Sequence, residues 1–171
     1  VSDWSSDVCS SDLDESLYKK MGVGININKL DEAKADSMAN LLFAKKVIEL
    51  GSNITSSEFV EQYIIDYIDE IRNSTGHEDE DVGIVWYDFS AKLMLLILFN
   101  SGSIVWNGDK IKVVDGDKGI SALTKIGQQI FDLYGNPNFN DEEVKKFVLA
   151  VETEVSQNNN LRKFLSKVAL S

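Results

Sequence analysis

Apolar residues recur every three or four positions through most of the chain, which is the period of an amphipathic α-helix. One long stretch, Val82–Phe99, is apolar on all sides, and its length predicts a buried helix rather than a strand. The three-and-four spacing itself predicts five further helices, over Leu30–Leu50, Phe59–Ile71, Asp117–Tyr134, Val144–Val155 and Leu161–Val168.

The helix over Phe59–Ile71 has the clearest division into two faces. Its apolar stripe should face the core, because a helix that is apolar along one side must bury that side. Its acidic residues are expected largely on the solvent side; they are Glu61, Asp66, Asp69 and Glu70.

Short polar motifs predict where two helices begin and where the chain reverses direction. Thr55–Glu58 and Asn140–Glu143 have the capping-box pattern, in which a side-chain oxygen and a carboxylate accept from free N–H groups. Ile104–Trp106 and Lys110–Val114 flank Asn107-Gly108, which predicts a β-hairpin with a tight turn. The alternation over Gly22–Asn28 suggests a short extended segment. The expected fold is therefore mainly α with one small β-hairpin.

The first thirteen residues have a different origin. Asp3–Leu13 reads DWSSDVCSSDL, which corresponds in codons to a common short-read sequencing adapter. We interpret residues 1–13 as adapter-derived and 14–171 as a single helical domain fragment from a longer gene. The adapter segment holds three of the 28 acidic residues and none of the 17 basic ones, so the net charge falls from −11 to −8. It also holds the only cysteine, so residues 14–171 can form no disulfide.

Charge and hydropathy restrict the possible partners. An acidic chain is a poor ligand for a nucleic-acid backbone or an anionic membrane, so neither is expected. The longest apolar run, Leu93–Phe99, is too short to span a bilayer. The absence of cysteine beyond Cys9 suits a reducing compartment, and we expect a cytoplasmic location.

Two groups of residues could carry chemistry. His77, the only histidine, lies among carboxylates and is most simply a solvated loop residue. With Glu78, Asp79 or Asp81 it could hold a cation weakly, although the spacing does not match a calcium loop. The second group is Asp31–Asp36, which reads DEAKAD. Its carboxylates could favour a helix start through the helix dipole, or Glu32 could supply one metal ligand.

The DEAKAD segment and the elements after it resemble the C-terminal part of the catalytic region of the dipeptidyl peptidase III family of zinc hydrolases. That family has a second zinc motif, Glu-Glu-x-(Arg/Lys)-Ala-(Glu/Asp), which opens a helix. Over Lys29–Val148 the order of elements is also similar. A long apolar helix ends near Gly102, a hairpin follows, and a Lys-containing helix ends at Gly135-Asn136.

The resemblance implies that Glu32 is the third protein ligand of a catalytic Zn²⁺. It implies that Asp31 and Asp36 orient two ligand histidines, which lie with the general base in an upstream HExxGH helix. The chain would then be the helical part of a larger zinc-peptidase-like catalytic domain that acts on peptides. Without the upstream histidines it would contain no catalytic residue, retain no zinc and be inactive alone.

Two departures from the family pattern leave other functions open. The first motif position is Asp31 rather than Glu, and the family's functional histidine has no counterpart near Tyr87 or Asp88. The chain could therefore come from a degenerate member that keeps the fold without the chemistry. It could instead be a non-enzymatic acidic helical binding module with an apolar groove for a partner.

Overall fold

The computed structural model describes residues 25–49, 51, 53–74 and 82–168. These residues form helices and one antiparallel hairpin, so the predicted mainly α fold with a small hairpin is confirmed. The adapter-like segment 1–13 and His77 lie outside the described residues. The elements in chain order are α1 (Ile25–Glu49), α2 (Ser56–Ser74), α3 (Val82–Ser101), β1 (Ile104–Trp106), β2 (Ile111–Val113), α4 (Gly116–Tyr134), α5 (Asp141–Gln157) and α6 (Asn159–Val168).

Helix α3 is the centre of the fold. It packs against α1, α2 and α4, and it also touches α5, α6 and β1. Its almost completely buried residues include Leu93, Met94, Leu95 and Leu98. A helix that is apolar on all sides needs neighbours on all sides, and α3 has them around Leu93–Leu98, whereas Tyr87 nearer its start is exposed. Among the described helices, none is long and apolar enough to cross a membrane.

Helix α1 begins earlier than its sequence pattern predicted. Residues 25–28 are helical, so the extended segment expected over Gly22–Asn28 is wrong in that part, and residues 22–24 lie outside the described residues. Ile27 and Leu30 are three positions apart and both are buried in the core. Their burial on one helix face outweighs the weak helix preference of the neighbouring asparagines.

Helix α2 begins with the predicted capping box. The Thr55 Oγ1 accepts a hydrogen bond from the Glu58 backbone N–H at 3.2 Å, and the Thr55 N–H donates to Glu58 Oε2 at 2.7 Å. The Thr55 hydroxyl also donates to Glu58 Oε2 at 2.8 Å. The backbone bond and this hydroxyl bond, in that order of size, lower the pKa of the Glu58 carboxyl. The reciprocal bonds satisfy donors that a helix start otherwise leaves free. The apolar stripe of α2 faces the core as predicted, with Val60, Ile64 and Ile71 buried.

The hairpin has a longer loop than its sequence predicted. Trp106 pairs with Ile111, so residues 107–110 connect the strands, whereas the predicted strands Ile104–Trp106 and Lys110–Val114 leave only residues 107–109 between them. Gly108 has a φ of 103°, a conformation that residues with a Cβ rarely adopt. The hairpin lies on the helices through an aromatic group in which Phe164 of α6 contacts both Trp106 and Phe99.

Candidate functional site

Helix α1 carries all three of the sequence-predicted site residues, Asp31, Glu32 and Asp36. They lie beyond the first turn, which contains no acidic residue, because α1 begins at Ile25. The helix dipole acts mainly within the first turn, so it does not account for these carboxylates. The motif also does not open its helix as the zinc motif of the resembled family does.

Asp31 is held by side chains on two helices. The hydroxyl of Tyr134, at the end of α4, donates a hydrogen bond to Asp31 Oδ1. The ammonium of Lys34 lies 3.3 Å from the same oxygen and 4.6 Å from the centre of the Tyr134 ring. Lys34 is buried, and its charge is accommodated by the carboxylate and the ring face. The start of the motif is thereby fixed to the end of α4.

Asp36 is held from the opposite side by the central helix. The hydroxyl of Ser90 in α3 donates a hydrogen bond to Asp36 Oδ2. Burial raises the pKa of the Asp36 carboxyl to about 6, and the Ser90 hydrogen bond opposes that rise. Desolvation disfavours the charged form, and here it outweighs the single hydrogen bond. Asp31 and Asp36 therefore attach the two ends of the motif to different helices.

Glu70 of α2 faces this part of α1. Its Oε2 atom is buried and has no hydrogen-bond partner among the described residues. Burial, followed by the charges of Asp36, Glu32 and Asp66, raises the pKa of the Glu70 carboxyl to about 8. We call Glu32, Asp36, Asp66 and Glu70 the acidic cluster. The expectation that Glu70 lies on the solvent side of its helix is therefore wrong for that side chain.

Tyr63 borders the acidic cluster on α2. Burial raises the pKa of its hydroxyl, and the charges of Asp36 and Asp66 raise it further. The tyrosine therefore stays neutral and adds no charge of its own. The charges that act on Tyr63 and Glu70 are all negative. A group bound beside the acidic cluster would therefore meet negative charge.

The acidic cluster makes the stability of the fold depend on pH. Asp36 and Glu70 bind protons more tightly in the folded chain than at their ordinary pKa values of 3.8 and 4.5. The stability that this contributes is complete below those ordinary values. It is lost as the pH rises through about 6 for Asp36 and about 8 for Glu70.

The described residues do not by themselves form a metal centre. Among them, no group of three or more histidine, cysteine, aspartate or glutamate side chains is placed to hold a metal ion. A zinc site needs at least three protein ligands, usually with imidazole or thiolate among them. Glu32 could contribute one carboxylate, so residues 25–49, 51, 53–74 and 82–168 fit at most one part of such a site.

Asp88, which lies near the place where the resembled family has a histidine, makes structural contacts in this chain. Asp88 accepts a hydrogen bond from Ser74 Oγ at 3.1 Å and forms an ion pair with Lys92 at 2.5 Å. The contact with Ser74 joins the end of α2 to α3, and the ion pair with Lys92 lies within α3. The neighbouring Trp86 has its indole nitrogen buried without a partner in the described part of the chain.

Comparison of the chain with protein-family models, with curated proteins and with solved structures finds no match.

The partners of the α1 carboxylates differ in how far the sequence could have identified them. Ser90 is a small polar residue within an apolar helix, which signals a need for a hydrogen-bond partner but does not identify Asp36. Glu70 follows Tyr67 by three positions and precedes Ile71, so it borders the buried stripe of its helix. That position indicates that the Glu70 side chain can turn toward the core. The contact of Tyr134 with Asp31 spans 103 positions, and no local pattern in the sequence indicates it.

Proposed function

We propose that the chain is the C-terminal helical part of a zinc-dependent metallopeptidase resembling dipeptidyl peptidase III, in which Glu32 supplies one zinc ligand. The observation that supports this most is the arrangement around Glu32. The residues flanking it in the motif are attached to α4 and α3, and the buried Glu70 carboxyl faces it. Such like-charged groups destabilise a fold unless a cation or protons offset them.

Within this proposal each residue of the chain has a defined task. Glu32 holds the metal, and Asp31 and Asp36 accept hydrogen bonds that fix the surrounding geometry. When bound, the zinc ion would polarise a peptide carbonyl and activate a water molecule. The two ligand histidines and the general base come from outside the described residues. A carboxylate accepts several hydrogen bonds, so the bonds from Tyr134 and Ser90 leave room for such histidines.

The test begins with the gene. Sequencing upstream of the codon for Asp14 should reveal an HExxGH motif. The complete protein should then retain stoichiometric zinc through dialysis and release dipeptides from a peptide substrate. Glu32→Gln should abolish both, whereas Glu61→Gln, on the exposed side of α2, should change neither. An upstream reading frame without HExxGH would refute the proposal.

The isolated chain provides a separate check. Because one carboxylate cannot hold zinc in a tetrahedral site, the chain of residues 1–171 should lose added zinc on dialysis and cleave no peptide. Zinc is measured by elemental analysis against protein concentration. Retention of one zinc ion per chain would contradict the assignment of the other ligands to an upstream segment.

A second function is favoured by a different observation. Large apolar side chains are exposed on three neighbouring helices: Leu42 on α1, Ile65 on α2 and Tyr87 on α3. An acidic helical binding module would use such residues to contact a partner. It predicts an upstream sequence without HExxGH and a complete protein that retains no zinc.

A further inference from the structure

The hairpin loop places an amide side chain next to a backbone nitrogen that can react with it. Asn107 is exposed and is followed directly by Gly108. Glycine has no Cβ to shield its N–H, and a Cβ built at Gly108 would meet no atom within 4 Å, so the space around this residue is open. The Gly108 nitrogen is one bond from the Asn107 carbonyl carbon, so its attack on Asn107 Cγ closes a five-membered ring.

The loop also polarises the group that would be attacked. The backbone N–H groups of Asp109 and Lys110 both donate to Asn107 Oδ1, at 3.1 and 3.0 Å. Donors aimed at a carbonyl oxygen stabilise the negative charge that develops there when a nucleophile adds. The ammonium of Lys167 donates to the Gly108 carbonyl oxygen and lies 3.3 Å from Asp109 Oδ1.

We propose that Asn107 is a site of spontaneous deamidation in the folded chain. Solvent base removes the proton of the Gly108 N–H, and the nitrogen forms a bond to Asn107 Cγ. The bond from Cγ to Nδ2 breaks, and Nδ2 takes up a proton and leaves as ammonia. Water then opens the resulting succinimide at either carbonyl, giving aspartate or isoaspartate. The sum consumes one water molecule, releases one ammonia and needs no oxidant or cofactor.

The product changes the contact between the hairpin and α6. A carboxylate at position 107 adds a negative charge beside Asp109 and attracts Lys167. The isoaspartate form moves a methylene group into the main chain, which disrupts the 3.3 Å hydrogen bond from the Asn107 N–H to the Lys110 carbonyl. Deamidation therefore alters the loop that adjoins Trp106.

The chain contains a natural control for this chemistry. Asn136 is also exposed, and its Oδ1 likewise accepts from a backbone N–H two positions later, that of Asn138, at 2.9 Å. The next residue is Pro137, which has no N–H and cannot attack. Asn136 therefore has a similarly polarised side chain without the nucleophile.

The experiment is incubation of the whole chain in mildly alkaline buffer made with heavy-oxygen water, followed by digestion and mass spectrometry. The peptide containing Asn107 should show progressive exchange of NH₂ for labelled OH and resolve into two isomers. The exchange should be faster at higher pH. The peptide containing Asn136 should stay unchanged, and Asn107→Gln should abolish the conversion at position 107.

A synthetic peptide spanning the loop provides the unfolded reference. Conversion of the peptide while the folded chain stays intact would overturn the proposal, because it would mean that the fold protects Asn107. Equal conversion at Asn136 would overturn it as well, since the attack by Gly108 would then not be the cause.

Discussion

Replacing Gly116 with alanine should destabilise the fold more than the same replacement at Gly119 or Gly135. Gly116 is the first residue of α4 and lies against the start of α2. A Cβ placed there would be 2.3 Å from the Ser57 nitrogen and 2.4 Å from the Ser56 carbonyl carbon. Both atoms belong to the backbone, so a side-chain rotation cannot relieve the overlap. The two helix starts would have to separate.

The size of the effect follows from two opposing contributions. Alanine is favoured over glycine in a helix by about 1 kcal/mol. Overpacking against a rigid neighbour costs about 1–3 kcal/mol and occasionally more. A separation of the helix starts would also weaken the hydrogen bond from Ser56 Oγ to Asp117. Because the overlap is with backbone, we take the overpacking cost near the upper end, about 3 kcal/mol, and subtract the gain of about 1 kcal/mol. The free energy of unfolding should therefore fall by about 2 kcal/mol.

Urea denaturation followed by circular dichroism measures this change, and the two other glycines serve as controls. A Cβ at Gly119 would lie 3.0 Å from Val60 Cγ2 and 3.3 Å from Leu98 Cδ2, which is a much smaller overlap than at Gly116, so Gly119→Ala should cost less. Gly135 has a φ of −74° and its nearest atom at 3.5 Å, so Gly135→Ala should be neutral or stabilise by up to about 1 kcal/mol. A Gly116→Ala variant as stable as the parent would refute the close approach of α2 and α4.

Three further predictions concern the contacts around the candidate site and the start of α2. Glu70→Gln should have little effect on stability in acid, where Glu70 is already protonated. Above pH 8 it should raise the free energy of unfolding by about 1–3 kcal/mol, because it removes a partly desolvated charge. Urea titrations across pH test this, with Glu61→Gln as the exposed control. Tyr134→Phe should cost about 1–2 kcal/mol by removing the hydrogen bond to the Asp31 carboxylate, and an unchanged urea midpoint would contradict that contact. Thr55→Ala should cost about 1 kcal/mol through loss of the cap, seen as a lower thermal midpoint.

Local signals in the sequence were sufficient where structure is decided by neighbouring residues. The capping box at Thr55, the N-cap bond from the Glu143 N–H to Asn140 Oδ1 and the apolar stripe of α2 depend on contacts a few positions apart, and all three are present. The start of α1 was not predictable in this way. Ile27 is helical because it packs in the core, and that packing depends on helices distant in the sequence. The loop length of the hairpin also differs, because the strands stop pairing at Trp106 and Ile111.

The candidate site was predictable only in part, for the same physical reason. The sequence identified the carboxylates of α1 because they lie close together in one short motif. Their surroundings come from α2, α3 and α4, so no local pattern contained them. Glu70 was misassigned because a helical period separates two faces, whereas a residue at the border between them can turn toward either. Its neighbours on other helices decide the outcome.

The acidic cluster has two explanations, and they differ in what they predict for Glu32→Gln. If the carboxylates bind no metal, then neutralising Glu32 or Glu70 relieves their repulsion and has no other effect. If Glu32 is a zinc ligand, Glu32→Gln should stabilise the chain without metal and abolish zinc retention in the complete protein. Functional groups are often kept at a cost in stability, because a site suited to its ligand is strained without it. A stabilising substitution that also removes zinc binding would therefore favour the peptidase proposal over the binding module.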